Sequence, residues 1–447
     1  MSNNNIAVLP KHDLGRLLTI AYYVANTDGR GLPLLMTGPP GGAKTFEIGA
    51  YAKALGVPFV HISPSQRGDG YFGAAPCRGE LDGQPVLNFP PPAEIVQLHQ
   101  QGAGIILVDE LRTAPRNVRP ALLGIIQERR FGELQLHPGI RVFAASNSAD
   151  ESSGNGAPLD PPTANRFCHI PMQDPTLQDA ANYYARISKP RDYRPEADKS
   201  VKDKLKASKT IEAKLDALRS KFHPQASSMV ISFLRSTNGT WGTCKKYAHQ
   251  GPMRAQPLAS DPNSDGGWGS PRSWSAVVEL LTTYMSLAFL TKKEGPVHGH
   301  TFVPDFSESP ECLAMIDGLV GPLSTVFAAA SSKLNIIDPQ SWLDGQEMLV
   351  KEDSPDRVFA TFQTGAAWLV GQAESNPNET EKKALMRRAD VFFGLAEQFD
   401  ADLVWPAVET IVGQNGSNAR DMLTKGPQAN RSMSKHLTMM AAIKAQQ

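Results

Sequence analysis

The chain has 447 residues, enough for about two or three domains and a substantial core. Its 45 Lys and Arg balance 45 Asp and Glu, which argues against a general polyanion-binding surface. Four scattered cysteines without a C-x-x-C pair (Cys77, Cys168, Cys244, Cys312) argue against a disulfide framework or zinc site and fit a reducing compartment. From about Leu14 to Ile170, short apolar runs alternate with helical patterns, the signature of a three-layer α/β domain with a parallel sheet. Strands are expected over Leu32–Met36, Val57–Ile62, Ile105–Val108, Arg141–Ala145 and Cys168–Pro171, and helices over Leu14–Ala25, Thr45–Leu55, Ala93–Gln101 and Arg116–Glu128. Asp82-Gly83, between extended residues, predicts a hairpin over 80–87, and Arg130–Leu136 predicts a second one just before a core strand.

After Ile170 the alternation stops. Val201, Leu205, Ile211, Leu215, Leu218 and Phe222 recur at helical spacing, and Lys202, Lys204, Lys206 and Lys209 read as the solvated face of that helix. Residues 236–271, rich in Gly, Ser, Pro, Asn and Asp, read as a long irregular connection with Trp241 and Trp268 embedded. Trp274 to Leu290 is the longest apolar stretch, but Glu279 and several hydroxyl residues make it a buried helix rather than a membrane span. The remainder is helical. The N-terminus shows no secretory pattern, so the expectation is a cytoplasmic protein. The expected domains are an α/β core over 1–187, a helical domain with an irregular insertion over 188–300, and a C-terminal helical region over 301–447.

Two motifs carry the chemistry. Gly38-Pro39-Pro40-Gly41-Gly42-Ala43-Lys44-Thr45 follows an apolar run and precedes a helix, a geometry that aims backbone N–H groups at a phosphate chain. In that loop Lys44 is suited to reach β- and γ-phosphates, and the Thr45 hydroxyl to sit on Mg²⁺. Ile105–Glu110 is a buried strand ending in adjacent carboxylates, with Asp109 suited to the Mg²⁺ shell and Glu110 to accepting a proton from attacking water. The pair implies hydrolysis of a nucleoside triphosphate. Ala43 stands where a standard phosphate loop has glycine, which is harmless at helical φ/ψ and unfavourable at φ > 0.

Residues 30–290 resemble a MoxR-type AAA+ ATPase of the clade carrying a helix-2 insert. Gly38–Thr45 is similar to that group's Walker A, which often has alanine at the Ala43 position, and Ile105–Glu110 is similar to its Walker B. Phe143-Ala144-Ala145-Ser146-Asn147 resembles the strand that ends in the sensor-1 asparagine. Pro161–Phe167 resembles the segment ending in Asp-Arg-Phe, with Asn165 replacing the aspartate and Arg166-Phe167 kept. Ser270-Pro271-Arg272-Ser273-Trp274 is similar to the sensor-2 motif that opens a lid helix. The two hairpins then correspond to the helix-2 and pre-sensor-1 inserts.

The resemblance implies an α/β three-layer P-loop AAA+ core followed by an α-helical lid and a C-terminal helical region. It also implies ATP and Mg²⁺ as cofactors, and a homo-oligomeric ring, expected to be a hexamer, with the ATP site shared between subunits. In it Asn147 orients water, Arg166 acts as an arginine finger on the neighbouring subunit's nucleotide, and Arg272 reaches the phosphates. Arg112, Arg116, Arg129 and Arg130 are further candidates for that contact. The expected role is chaperone-like remodelling of a partner protein containing a von Willebrand factor A domain. A DNA-directed motor is the rival from related clades, against which zero net charge counts. A non-hydrolysing nucleotide-gated scaffold is the other rival, against which the retained Glu110 counts.

Three further features have both functional and packing readings. Tyr71 and Phe72 suit either a pore-facing position or the core. His298-Gly299-His300 lacks ligand-spaced partners for a metal, and Cys168-His169 reads as strand packing.

Overall fold

The structure is a computed structural model; it describes residues 14–26, 29–38, 43–67, 69–72, 76–115, 117–147, 159, 161–172, 199–236, 267–291, 306, 309–332, 334, 337–374, 377–412 and 418–432. The chain forms two compact units. The first comprises Met1–Lys214, Cys244–Thr283 and Ser309–Thr325, and the second Leu215–Thr243, Tyr284–Glu308 and Val326–Gln447.

In the first unit, α1 (Leu14–Tyr23) leads into a small antiparallel pair, β1 (Ala25–Asn26) and β2 (Gly29–Arg30). Then come β3 (Leu34–Gly38), α2 (Lys44–Leu55), β4 (Phe59–Ile62), β5 (Cys77–Leu81), β6 (Gln84–Asn88), α3 (Ala93–Gln101) and β7 (Gly104–Val108). They are followed by α4 (Arg119–Leu123), β8 (Arg130–Phe131), β9 (Leu134–Gln135), β10 (Ile140–Asn147), α5 (Pro161–Ala164) and β11 (Cys168–Pro171). Five strands make a parallel sheet in the order β11-β3-β10-β7-β4. β7 is buried along its whole length and β10 up to its last residue, as expected where helices cover both faces of a parallel sheet. β10 lies between β3 and β7, so the loops leaving β3 and β7 emerge on either side of it, the crevice where open α/β sheets bind ligands.

Both expected hairpins form. Cys77 to Leu81 pairs antiparallel with Gln84 to Asn88. The turn residues Asp82 and Gly83 have φ of 53° and 78°, a twist that suits the flanking strands and that Gly adopts without strain. Arg130 and Phe131 pair with Gln135 and Leu134.

The helix expected over 116–128 is different. Only Arg119–Leu123 is α-helical, and Gly124–Glu128 widens into a π turn. Arg129, at φ 54°, closes that turn by donating its N–H to the Gly124 carbonyl five residues back. Leu122, Ile125 and Ile126 still reach the core, because apolar spacing alone does not distinguish the two windings.

Helix α6 (Lys199–Ser236) and helix α7 (Pro271–Thr291) each run from the first unit into the second. At the start of β10, wholly buried Arg141 ties its surroundings to the sheet. Its Nε donates to the Tyr22 carbonyl at 2.7 Å, its terminal nitrogen pairs with Glu212 of α6 at 2.6 Å, and it lies over the Tyr22 ring at 4.2 Å. α8 (Pro310–Val320) packs directly on β11, so closely that a Cβ on Gly318 would lie 2.2 Å from the His169 carbonyl oxygen. By length and composition α7 could cross a bilayer, but 56% of its apolar window is buried inside the protein.

The second unit holds α10 (Pro339–Leu343), α11 (Pro355–Glu374), α12 (Glu379–Ala396) and α13 (Ala401–Val412), reached through α9 (Leu323–Ser331), which begins in the first unit. Trp342, Phe362, Leu369, Phe392 and Val408 form its core, with edge-to-face contacts among Trp342, Phe362 and Phe392. A full capping box at Asn378 and Glu381 starts α12.

Candidate active site

The sheet register places Asn147, the last residue of β10, beside Gly38, the last residue of β3. Lys44 opens α2 just above them. Its buried ammonium donates to the Gly38 carbonyl at 2.9 Å and to Asn147 Oδ1 at 3.2 Å. The next residue, Thr45, donates its hydroxyl to Asp109 Oδ2 at 2.6 Å, across to the end of β7. Lys44, Thr45, Asp109 and Asn147 therefore converge at the carboxyl ends of three neighbouring strands. Pro39, Pro40, Gly41 and Gly42 lie outside the described residues.

Ala43 has φ 63° and ψ 18°, the left-handed region, while its carbonyl already accepts the Glu47 N–H at 2.9 Å. Of the two conformations weighed from sequence, this is the one that favours glycine. Glu110 is also left-handed, at φ 54°. Two non-glycine residues in that region flank the same crevice, where such conformations concentrate at functional sites.

Three residues of the site had no sequence assignment. His61 Nε2 lies 2.9 Å from Asp109 Oδ2, and the hydroxyls of Ser63 and Ser65 donate to Glu110 Oε2 at 3.3 and 3.0 Å. All three follow from β4 being the neighbour of β7, with its carboxyl end beside Asp109. The visible signal was the alternation of His61 and Ser63, which gives polar side chains a common direction along extended chain, whereas Ser65 reaches Glu110 from the 3₁₀ turn Pro64–Gln66. Burial pushes the Asp109 carboxyl upward, but hydrogen bonds from His61, Thr45 and the Glu110 N–H outweigh it and hold it below the ordinary aspartate value. A carboxylate kept ionised beside a threonine hydroxyl is a hard-oxygen donor set, which fits Mg²⁺.

A second group surrounds Arg166. Its half-buried side chain donates from Nε to the Gln127 side-chain oxygen, and Gln127 is presented by the π turn. The preceding residue, Asn165, accepts at Oδ1 from the hydroxyls of Ser270 (2.9 Å) and Ser273 (3.0 Å). Those serines bracket Arg272, which is exposed in the first turn of α7.

Other candidates resolve differently. Arg129 is a core residue, its guanidinium donating to the carbonyls of Ile140 and His137 (3.3 Å to the latter). Arg112 is likewise buried, Arg130 is exposed, and Arg116 lies outside the described residues. Phe72 is buried and stacks on Phe131, while Tyr71 donates its hydroxyl to Glu94; both serve packing. Cys168 is wholly buried, which pushes its thiol well up, and donates to the Met315 carbonyl at 3.2 Å; His169 Nε2 lies 2.8 Å from the Ala164 carbonyl. The pair is structural. His298-Gly299-His300 falls outside the described residues, and among the described residues no cluster of His, Cys, Asp or Glu suits a metal ion.

No protein-family model and no curated protein matches the chain. Solved structures do match, among them a Cytophaga hutchinsonii protein provisionally described as an ATPase. It is 17% identical over 71% of this chain and 82% of that one, with a TM-score of 0.42.

Proposed function

We propose that the chain is an ATP hydrolase of AAA+ type, similar to the MoxR group, that works as a ring and remodels a partner protein. The observation that supports it best is the convergence of Lys44, Thr45, Asp109 and Asn147 at the ends of β3, β7 and β10. This set unites a buried cation, a hydroxyl–carboxylate pair and an amide at one sheet crevice, the inventory that phosphoryl transfer to water requires.

Lys44 binds phosphate oxygens with an ammonium already steered by Gly38 and Asn147. Thr45 and Asp109 are the residues that would hold Mg²⁺, which when bound neutralises charge on the phosphates. Asn147 orients the attacking water through its amide. Glu110 takes that water's proton on a carboxylate oxygen, and Ser63 and Ser65 hold the carboxylate from the β4 side. Arg166 stabilises charge on the transferred phosphoryl group of the adjoining subunit, and Arg272 supplements it. The ring is hexameric in this reading, and the partner carries a von Willebrand factor A domain, as in MoxR-type proteins.

Phosphate release from ATP and Mg²⁺ by the purified protein tests the reading. Glu110→Gln should keep ATP binding and lose roughly 10²- to 10⁴-fold in turnover, the range expected for removing a general base. Absence of phosphate release from the wild type, with or without added partner, would sink the hydrolase assignment.

A further inference from the structure

Asn165 does more than precede Arg166. Its Oδ1 accepts from both Ser270 and Ser273, whose hydroxyls also lie 3.0 Å from each other. Ser270 simultaneously caps α7, its oxygen accepting the Ser273 N–H at 3.1 Å, and its carbonyl accepts the Trp274 N–H at 3.0 Å. Both serines are buried, at 4% and 3% exposure, so water does not compete for these bonds. Pro271 and Arg272 sit between them in sequence. One side-chain oxygen thus joins the turn that carries Arg166 to the turn that carries Arg272, while Gln127 holds the Arg166 guanidinium from the other side.

We propose that Asn165 is a positioning residue: it clasps the first turn of α7 to the Arg166 turn, so that Arg166 and Arg272 keep one spacing and any tilt of α7 moves both. This rests on the hydrolase reading above, in which both arginines act on phosphate. The clasp uses Oδ1 only as an acceptor, and an acceptor facing two hydroxyls and a helix N-terminus is equally well supplied by a carboxylate. The amide nitrogen has no part in it.

The test is steady-state ATP hydrolysis by the full chain. Asn165→Ala should lower kcat roughly 10- to 100-fold, the scale of an ångström-sized misplacement of a catalytic group. Its KM for ATP should change far less, because the Lys44 and Thr45 contacts are untouched. Asn165→Asp should restore most of the lost kcat. Adding Ser273→Ala to Asn165→Ala should cause little further loss, because the two groups act as one unit while the Ser270 cap of α7 is left in place. Arg166→Ala and Arg272→Ala serve as references, and melting temperatures confirm folding. If Arg166→Ala is inactive while Asn165→Ala turns over at the wild-type rate, the clasp is wrong and the hydrolase reading stands. A folded Asn165→Asp as impaired as Asn165→Ala likewise overturns the clasp. If the wild type hydrolyses ATP but Arg166→Ala is indifferent, the finger reading falls and takes the clasp with it.

Discussion

At the scale of single residues, Ala43 is the sharpest case. Its departure from glycine was legible in the sequence, but its sign depended on a backbone angle that a residue name does not carry. At φ 63° an L-residue costs roughly 1–2 kcal/mol relative to a right-handed one. Glycine would remove that strain and give back roughly 0.4–1 kcal/mol through the greater freedom of the unfolded chain. Ala43→Gly should therefore leave stability unchanged or raise it by up to about 1.6 kcal/mol, read from the midpoint of urea unfolding. A clear loss of stability would mean that the methyl group makes packing contacts worth more than the strain. Glu110 poses the same question with a longer side chain, since its left-handed backbone aims a carboxylate that Ser63 and Ser65 then hold.

At the scale of elements, Asp344 closes α10 and receives both arms of Arg388 from α12, at 2.7 Å each, with Trp368 beneath the guanidinium at 5.6 Å. The Arg388 hydrogen bonds hold the Asp344 carboxyl below its ordinary value. A lowered carboxylate stabilises the fold fully above its unfolded value, near pH 4, and loses that contribution as pH falls through the lowered value. Arg388→Gln should therefore melt earlier than wild type at pH 7, by about 0.5–1 kcal/mol for a partly exposed pair. The gap should narrow steadily below about pH 4; a gap independent of pH would assign the loss to Trp368 packing instead.

Elements also mark how far the sequence could be read. The parallel strands were legible because each is a short, largely apolar run between helical patterns, and the first hairpin because Asp-Gly fits few other turns. The π turn over Gly124–Glu128 was not, since Leu122, Ile125 and Ile126 satisfy an α-helical pattern equally well. Arg141 was placed on a strand, yet its partner Glu212 lies 71 positions downstream, beyond any local pattern. His61, Ser63 and Ser65 depend on β4 lying beside β7, which strand order alone decides.

At the scale of the whole molecule, a shared site has a distinctive signature. Mixing Arg166→Ala subunits with Lys44→Ala subunits should recover part of the activity that each lacks alone, because some interfaces then pair an intact finger with an intact loop. Persistent inactivity in the mixture, with assembly verified by sedimentation, would place Arg166 outside a shared site. The chain path has a separate consequence. β11 is an edge strand of the sheet, and α8, which lies against it with Gly318 on the His169 backbone, follows it by well over a hundred residues. During synthesis all five strands leave the ribosome before Pro310–Val320 exists. A nascent chain therefore carries this sheet without the helix that packs on its edge, a state prone to pairing with other nascent strands. A fragment ending near Met172 should aggregate where the full-length chain does not.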